Sequence, residues 1–337
     1  MKKPFASIFI AFFLFIYQWP MAVASNEMVV LPAITLFAII APKTTAQTTQ
    51  EKVDTQSTKL KNVSGSAPVK TLLSEKFENE REANLNSFSL VQHNPNYLLP
   101  ISYSPNPNSI SFDGIDDEQI DRFEAKYQIS VKTPLWLHQD DTSGIYFGFT
   151  AVSFWQVYND ETSKPFRETN YQPEVFYQFN TDTSLAGYKF NLFRIGLNHM
   201  SNGQSGLKSR SWNRIIATAL FSDENTAYYI RTWVRLPEDA KTSPLDPLGD
   251  DNPDINDYYG RVELGFGYRL GELDIATSIR NNLSLGDNRS GVEVNITYPF
   301  NKRYDLLVQL FSGYGDSLID YNRHKQRVSI GVQIRFL

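Results

Sequence analysis

The feature that most constrains this chain is a long two-residue alternation near its end. From Arg327 to Leu337, Val328, Ile330, Val332, Ile334 and Phe336 fall on one side, and Arg327, Ser329, Gly331, Gln333 and Arg335 on the other. A period of two marks an extended strand, whose successive side chains point to opposite faces. The pattern recurs. Val262, Leu264, Phe266, Tyr268 and Leu270 oppose Arg261, Glu263, two glycines and Arg269; Val292, Val294, Ile296 and Tyr298 oppose Glu293, Asn295 and Thr297; Tyr228, Ile230, Val234 and Leu236 oppose Arg231, Trp233 and Arg235. Each run is about nine to eleven residues long, where strands of soluble sandwiches are nearer five or six. Long strands with charges on one face and apolar groups on the other suit a closed wall with lipid outside and a polar lumen. The expected fold is therefore all-β, a transmembrane antiparallel β-barrel, with a secreted β-sandwich as the alternative. Inward Arg and Glu are expected to pair, because an unpaired buried charge costs several kcal/mol. Tyr258, Tyr259, Tyr298, Phe300, Tyr304 and Tyr314 are expected in the interfacial girdles.

Composition agrees. The mean hydropathy of -0.35 excludes a bundle of membrane helices, but a barrel needs only alternate residues to be apolar. A net charge of -5, with no basic stripe among aromatics, argues against a nucleic-acid partner. The absence of cysteine excludes a disulfide framework, a thiolate metal site and a Cys nucleophile.

The first 24 residues read as a signal peptide: Lys2 and Lys3, an apolar run from Phe5 to Trp19, then Ala22-Val23-Ala24 as a small-residue cleavage site. A second apolar run, Met28 to Ala41, is broken by Pro32 and leaves a later cleavage after Ala46 open. Residues 25–118 read as a flexible, mostly irregular extension, with a charged, helix-compatible stretch at Ser74 to Ala83 and an ordered arm near Asn96 to Ser104. The barrel is expected over 119–337. The connection from Pro237 to Asp257 carries four prolines around Asp246, Asp250, Asp251 and Asp254; a calcium loop and an acidic solvated loop both fit, and the second is the expectation. His93, His138 and His324 lack a partner pattern and read as surface residues.

The candidate chemistry lies in the run from His199 to Arg214. Period-two geometry puts His199 and Ser201 on the face of Phe193, Ile195 and Leu197, and puts Asn213 on the face of Ile215, Ala217, Ala219 and Phe221. If the two strands form a hairpin, a serine, an imidazole to take its proton and an amide to orient the imidazole meet on one apolar face. Trp212 and Arg214 turn the other way, toward the lumen.

The run closely resembles the signature of the bacterial outer-membrane phospholipase A family: His199-x-Ser201-Asn202-Gly203, then Ser209-Arg210-Ser211-Trp212-Asn213-Arg214. Pro165 to Tyr171, Asp250 to Ile255 and Ser312 to Asn322 are similar to the same family. The resemblance covers about 119–337. It implies a barrel of about twelve strands in the outer membrane, with the site on the outer wall, and a calcium-dependent, homodimeric enzyme that hydrolyses membrane phospholipid. Carried over residue by residue, it implies Ser201 as nucleophile, His199 as base and Asn213 as its orienter. It further implies the Gly203 N–H in the oxyanion hole. Calcium would be held by the Gln204 carbonyl, the Ser209 hydroxyl and the partner subunit's Ser163 carbonyl. Three departures stand out: Gly206 where many relatives carry Asp, Ala151 where a Gln is usual at the dimer interface, and a C-terminal Phe336-Leu337 in place of a terminal Phe. A passive porin-like barrel and an esterase acting on another outer-leaflet lipid are the rival functions.

Overall fold

The computed structural model describes residues 71–335, apart from 87, 111–118, 140–141, 162, 182, 186, 244 and 247. The expected signal peptide, most of the expected extension and the C-terminal Phe336-Leu337 lie outside the described residues.

The alternating runs form strands as their period requires. Twelve barrel strands follow in chain order: β1 (Asn96–Tyr103), β2 (Phe123–Leu137), β3 (Gly144–Trp155), β4 (Phe166–Asn180), β5 (Tyr188–Ser201), β6 (Ser211–Ser222), β7 (Thr226–Arg235), β8 (Val262–Leu270), β9 (Leu273–Asn281), β10 (Ser290–Pro299), β11 (Tyr304–Gly313) and β12 (Lys325–Ile334). Each pairs antiparallel with its neighbours in sequence, and β12 returns to β1 through Val328↔Tyr103 and Ile334↔Asn96. Closure leaves no edge, so every strand is paired on both sides. Two-residue strands at Val91–Gln92 and Ser184–Leu185 pair with β2 and β5. No described helix is long and apolar enough to cross a membrane.

Leu98, Ile129, Val175, Leu197, Ile215, Ile230, Val328 and Ile330 are exposed on the outer wall. The inner wall is ionic. Glu124 accepts hydrogen bonds from Arg167 Nε (2.9 Å) and Nη2 (3.0 Å), Arg327 Nη1 (2.7 Å) and Gln156 (3.1 Å). Arg167 continues to Asp320 (2.8 Å) and Arg327 to Asp316 (2.6 Å). Farther along the lumen, Arg231 pairs with Glu263 at 3.2 Å. The expected inward pairing of Arg and Glu is present.

The strand ends joined by the three longest connections, β1 to β2, β5 to β6 and β7 to β8, lie at one end of the barrel. Short turns close the other end, and helix α1 (Ser74–Asn84) packs there. Glu75 in its first turn and Arg81 in its last suit the helix dipole. Leu72 N donates to Asp223 O (2.8 Å), Lys132 Nζ reaches Glu80 (2.5 Å), and Asn84 Nδ2 donates to the Tyr146 hydroxyl (3.0 Å).

Four expectations need correction. The segment 25–118 is not wholly an irregular extension: the helix-compatible stretch is α1, and the arm near Asn96 is β1, which closes the barrel, so barrel strands begin well before 119. His93 is not on the surface; it is buried, its Nε2 lies 2.7 Å from Glu174 and its ring stacks on Phe176. Tyr258 and Tyr259 belong to no girdle. They lie in helix α2 (Ile255–Tyr259), which folds inward so that Tyr259 meets Trp212 and Tyr258 meets Tyr314 and Tyr321. Tyr298, Phe300 and Tyr304 are exposed around the β10–β11 turn, as a girdle requires. The fourth correction concerns the acidic loop, described with the site.

Candidate active site

The β5–β6 hairpin brings the two halves of the sequence run together. Its register sets His199 directly opposite Asn213, and Ser201 opposite Ser211. Facing residues of an antiparallel pair hold their Cβ atoms about 5 Å apart, and here His199 Nδ1 lies 2.8 Å from Asn213 Oδ1. An amide oxygen can only accept, so the imidazole carries its proton on Nδ1 and leaves Nε2 free to take another. Ser201 stands two residues beyond His199 on the same outward face, beyond Ile195 and Leu197, which are 45% and 58% exposed. The three groups therefore sit on the lipid-facing wall at the long-loop end.

Behind them the inner face is packed solid. Met200, Trp212, Trp233, Ile255, Leu318 and Tyr321 form one buried cluster. The Arg214 guanidinium lies 3.9 Å over the Trp212 ring and donates to Asn198 Oδ1 at 2.7 Å. Trp212 and Arg214 thus turn to the lumen, as parity predicts, and brace β6 from behind.

The loop 202–210 is organised by Asn202, which is buried. Its Oδ1 accepts from Arg210 N (3.0 Å) and Gln204 N (3.3 Å), and its Nδ2 donates to Lys208 O (2.9 Å) and Glu168 Oε2 (3.3 Å). Asn202 N also donates to Arg210 O at 3.0 Å. With the loop tied at these points, Gly203 is exposed in the left-handed region at φ 66°, where a side chain is disfavoured. A Cβ there would come within 3.3 Å of the Tyr171 ring, which walls the site on the β4 side. Gly206 is also left-handed, at φ 59°.

Gln204 is exposed beside Gly203, and Ser209 is partly buried at the end of the loop. Ser209 Oγ donates to Asp251 Oδ2 at 2.7 Å, and Ser211 Oγ to the same oxygen at 3.1 Å. Lys241 Nζ lies 2.5 Å from the other oxygen. Burial pushes the Asp251 carboxyl up, but the hydrogen bonds from Lys241, Ser209 and Ser211 outweigh it and hold the group below its ordinary range. The loop expected to be acidic and solvated is therefore docked. Asn252 is fully buried and accepts from Ser211 N at 3.0 Å, Arg235 pairs with Asp250, and the Tyr321 hydroxyl donates to Asp254 at 2.5 Å. Sequence reasoning placed Asn202 and Asp251 within the family-like runs but assigned neither a role in the site. The Asp-Asn-Pro-Asp run was the available signal, but its partners lie some 40 residues away.

Ser163 is not among these contacts. It lies on the β3–β4 connection at the same end of the barrel, exposed, with φ 60°. Ala151 lies on the outer wall between Ile129 and Tyr171.

A closed twelve-strand antiparallel barrel with an apolar outer face and an ionic lumen defines the class, a membrane-spanning β-barrel, and on its outer face it carries His199 and Asn213 in contact with Ser201 alongside. Comparisons with known proteins narrow it. The family model described as phospholipase A1 matches residues 73–334. Phospholipase A1 of Escherichia coli K12 is 37% identical over 257 residues, covering 75% of this chain and 83% of the relative; that of Proteus vulgaris is 34% identical over 254 residues. Outer membrane phospholipase A from E. coli superposes with a TM-score of 0.67 at 35% identity, over 74% of this chain and all of that one. The Salmonella typhi outer membrane phospholipase dimer with bound calcium gives 0.68 at 34% identity, over 76% of this chain and 97% of that one. A third matched structure, at 34% identity, is an E. coli active-site mutant with an asparagine replaced by alanine. The chain belongs to the phospholipase A1 family and is an outer-membrane β-barrel protein.

Proposed function

We propose that this protein is a calcium-dependent serine hydrolase that cleaves acyl esters of glycerophospholipids at the outer leaflet and works as a homodimer. The observation that carries the reading is the 2.8 Å contact between His199 Nδ1 and Asn213 Oδ1 on an outward face shared with Ser201. A substrate already in the membrane meets that face and not the lumen.

In this mechanism His199 Nε2 takes the proton of Ser201 Oγ as Oγ attacks the ester carbonyl carbon. The Gly203 N–H donates to the oxygen that becomes negative. When the tetrahedral adduct collapses, the C–O bond to the lysophospholipid breaks and His199 returns the proton to the leaving oxygen. Water then attacks the acyl-serine with His199 as base again, releasing fatty acid and restoring Ser201. Asn213 holds the imidazole in its productive tautomer throughout. An amide supplies geometry but not the charge with which a carboxylate stabilises an imidazolium.

The oxygens near the loop fit a hard divalent cation. The Ser209 hydroxyl and Gln204 carbonyl would hold calcium together with the partner subunit's Ser163 carbonyl, and the attraction of Lys241 to Asp251 marks the region as one that draws positive charge. Bound there, calcium supplies positive charge to the oxyanion hole. Dimer formation would then complete the site.

The test is fatty-acid release from phospholipid in detergent micelles by wild type, Ser201→Ala and His199→Ala, each with calcium and with chelator. Release that requires Ser201, His199 and calcium is expected. Release by Ser201→Ala would overturn the nucleophile, and release that ignores chelator would overturn the calcium-assisted step. No release by folded wild type would leave a passive barrel.

A further inference from the structure

The lumen is hollow at its short-turn end. There β7, β8 and β9 line it with a row of small residues, Ala227, Gly267 and Ala276, which pair across the three strands at one level. A Cβ at Gly267 would meet nothing nearer than Ala227, at 3.7 Å. One row closer to the long loops, the Tyr229 ring lies where Gly265 has no Cβ and closes the space from that side. Leu192 and Leu220 wall it from β5 and β6, and Leu72, Leu73 and Phe77, at and just before the start of α1, wall it from the helix side. The result is a cavity of about 300 Å³, at the small end of the range of about 300–1,000 Å³ for ligand pockets.

The acidic groups of the lining are already matched. Asp274 is held by Arg269 (2.7 Å), Asp305 by Arg335 (3.1 Å) and Glu293 by Lys126 (3.8 Å), and none of these cations lines the cavity. Arg231 is held by Glu263 at 3.2 Å. Arg194 is different. It projects from β5 into the cavity, donates from Nε to Gln178 Oε1 at 2.8 Å, and lies 5.2 Å from the centre of the Phe176 ring. Among the described residues, no acceptor meets its Nη groups and no carboxylate pairs with it. The carboxylates that act on it from farther away, Glu80 and Glu174, are engaged by Lys132 (2.5 Å) and His93 (2.7 Å). Lys76 of α1 adds a second positive group to the lining. A guanidinium with both terminal nitrogens unmet suits a carboxylate, which it can hold through two parallel N–H bonds. The apolar walls beside it suit a hydrocarbon tail.

We propose that this cavity binds a medium-chain carboxylate, with its head on Arg194 and its tail among Leu72, Phe77, Leu192 and Leu220. The site lies inside the barrel, at the opposite end from His199 and Ser201, and is independent of the hydrolytic reading.

The experiment is equilibrium dialysis of labelled octanoate against the full-length protein in zwitterionic micelles, with protein-free micelles as background, for wild type, Arg194→Gln, Arg194→Lys and Gly267→Leu. Wild type is expected to bind saturably, and Arg194→Gln about tenfold or more weakly than wild type, because the bonds lost are charge-assisted. Arg194→Lys keeps the charge and should bind more tightly than Arg194→Gln. Gly267→Leu leaves the guanidinium in place but fills the space, and should abolish saturable binding. Unlabelled octanoate should displace the label; octylammonium, with the same chain and the opposite charge, should not. Hydrogen exchange gives a second reading. Octanoate should slow residues 72–77 in wild type and leave them unchanged in Arg194→Gln, and strand amides protected as in wild type report that each variant is folded. No saturable binding to wild type, equal binding by wild type and Arg194→Gln, or displacement by octylammonium would overturn the proposal. Octanoate carries no ester, so its failure to bind would leave the roles of His199 and Ser201 untouched, and loss of hydrolysis in their variants would leave this site untouched.

Discussion

Replacing Asn202 by alanine should separate the positioning of the catalytic loop from its chemistry. The side chain makes four hydrogen bonds in a buried setting, to Arg210 N, Gln204 N, Lys208 O and Glu168 Oε2. Alanine removes all four, while the backbone bond from Asn202 N to Arg210 O remains. Two of the lost partners lie next to exposed chain and can turn to water, so the cost is set mainly by the other two. At about 1–2 kcal/mol for each inadequately solvated group, the protein should lose about 2–4 kcal/mol. On the proposed mechanism the functional loss should be larger than this suggests, because Asn202 fixes the chain on either side of Gly203, the proposed oxyanion donor, and a displacement of about 1 Å of such a donor costs on the order of 100-fold in kcat. Asn202→Asp should do no better, since it loses the donor to Lys208 O and sets a second carboxylate against Glu168. Denaturant unfolding in micelles followed by tryptophan fluorescence gives the first quantity, and fatty-acid release at saturating calcium gives the second. A stability loss below about 1 kcal/mol with kcat within twofold of wild type would refute the reasoning.

Two other perturbations read different parts of the structure. Glu124→Ala leaves two guanidiniums facing each other in the lumen and should cost about 3–5 kcal/mol of unfolding free energy, whereas Glu78→Ala, in an exposed pair with Arg81, should cost less than about 0.5 kcal/mol; equal effects in the unfolding assay would mean that the lumen is as wet as the surface. Because the Asp251 carboxyl is held below its ordinary range, its share of loop docking is complete above the ordinary aspartate value and is lost as pH falls through the lowered one. Hydrogen exchange in 250–254 should therefore stay slow at neutral pH and accelerate only in strong acid, and Asp251→Asn should accelerate it already at neutral pH.

The barrel was legible because each strand must alternate, and the site because one period places Ser201 and His199 together and one register adds Asn213. Both are local rules. β1 escaped them for a local reason: a register shift between Leu99 and Ser102 leaves Leu98 and Ile101 outward and Leu99 and Ser102 buried, so the alternation breaks in mid-strand, beside Pro100. Tyr258 and Tyr259 look like girdle residues in composition; only the inward fold of α2 against Trp212 distinguishes them. His93 depends on Glu174, 81 residues away, and Asp251 on Ser209, 42 residues away. No period or short motif encodes such pairings.

The alternation that builds the wall also divides its evolutionary freedom. Tyr171, Leu197 and Ile215 face outward, while inside the barrel the Arg167–Glu124–Arg327 web ties β4, β2 and β12 together. Outward positions can be recut for a different lipid without disturbing the ionic interior. Asn202 turns inward just beyond the outward Ser201 and ties the loop behind the site to Glu168. It is the rivet between a variable skin and a fixed frame, and the position at which a change of substrate would first endanger the fold.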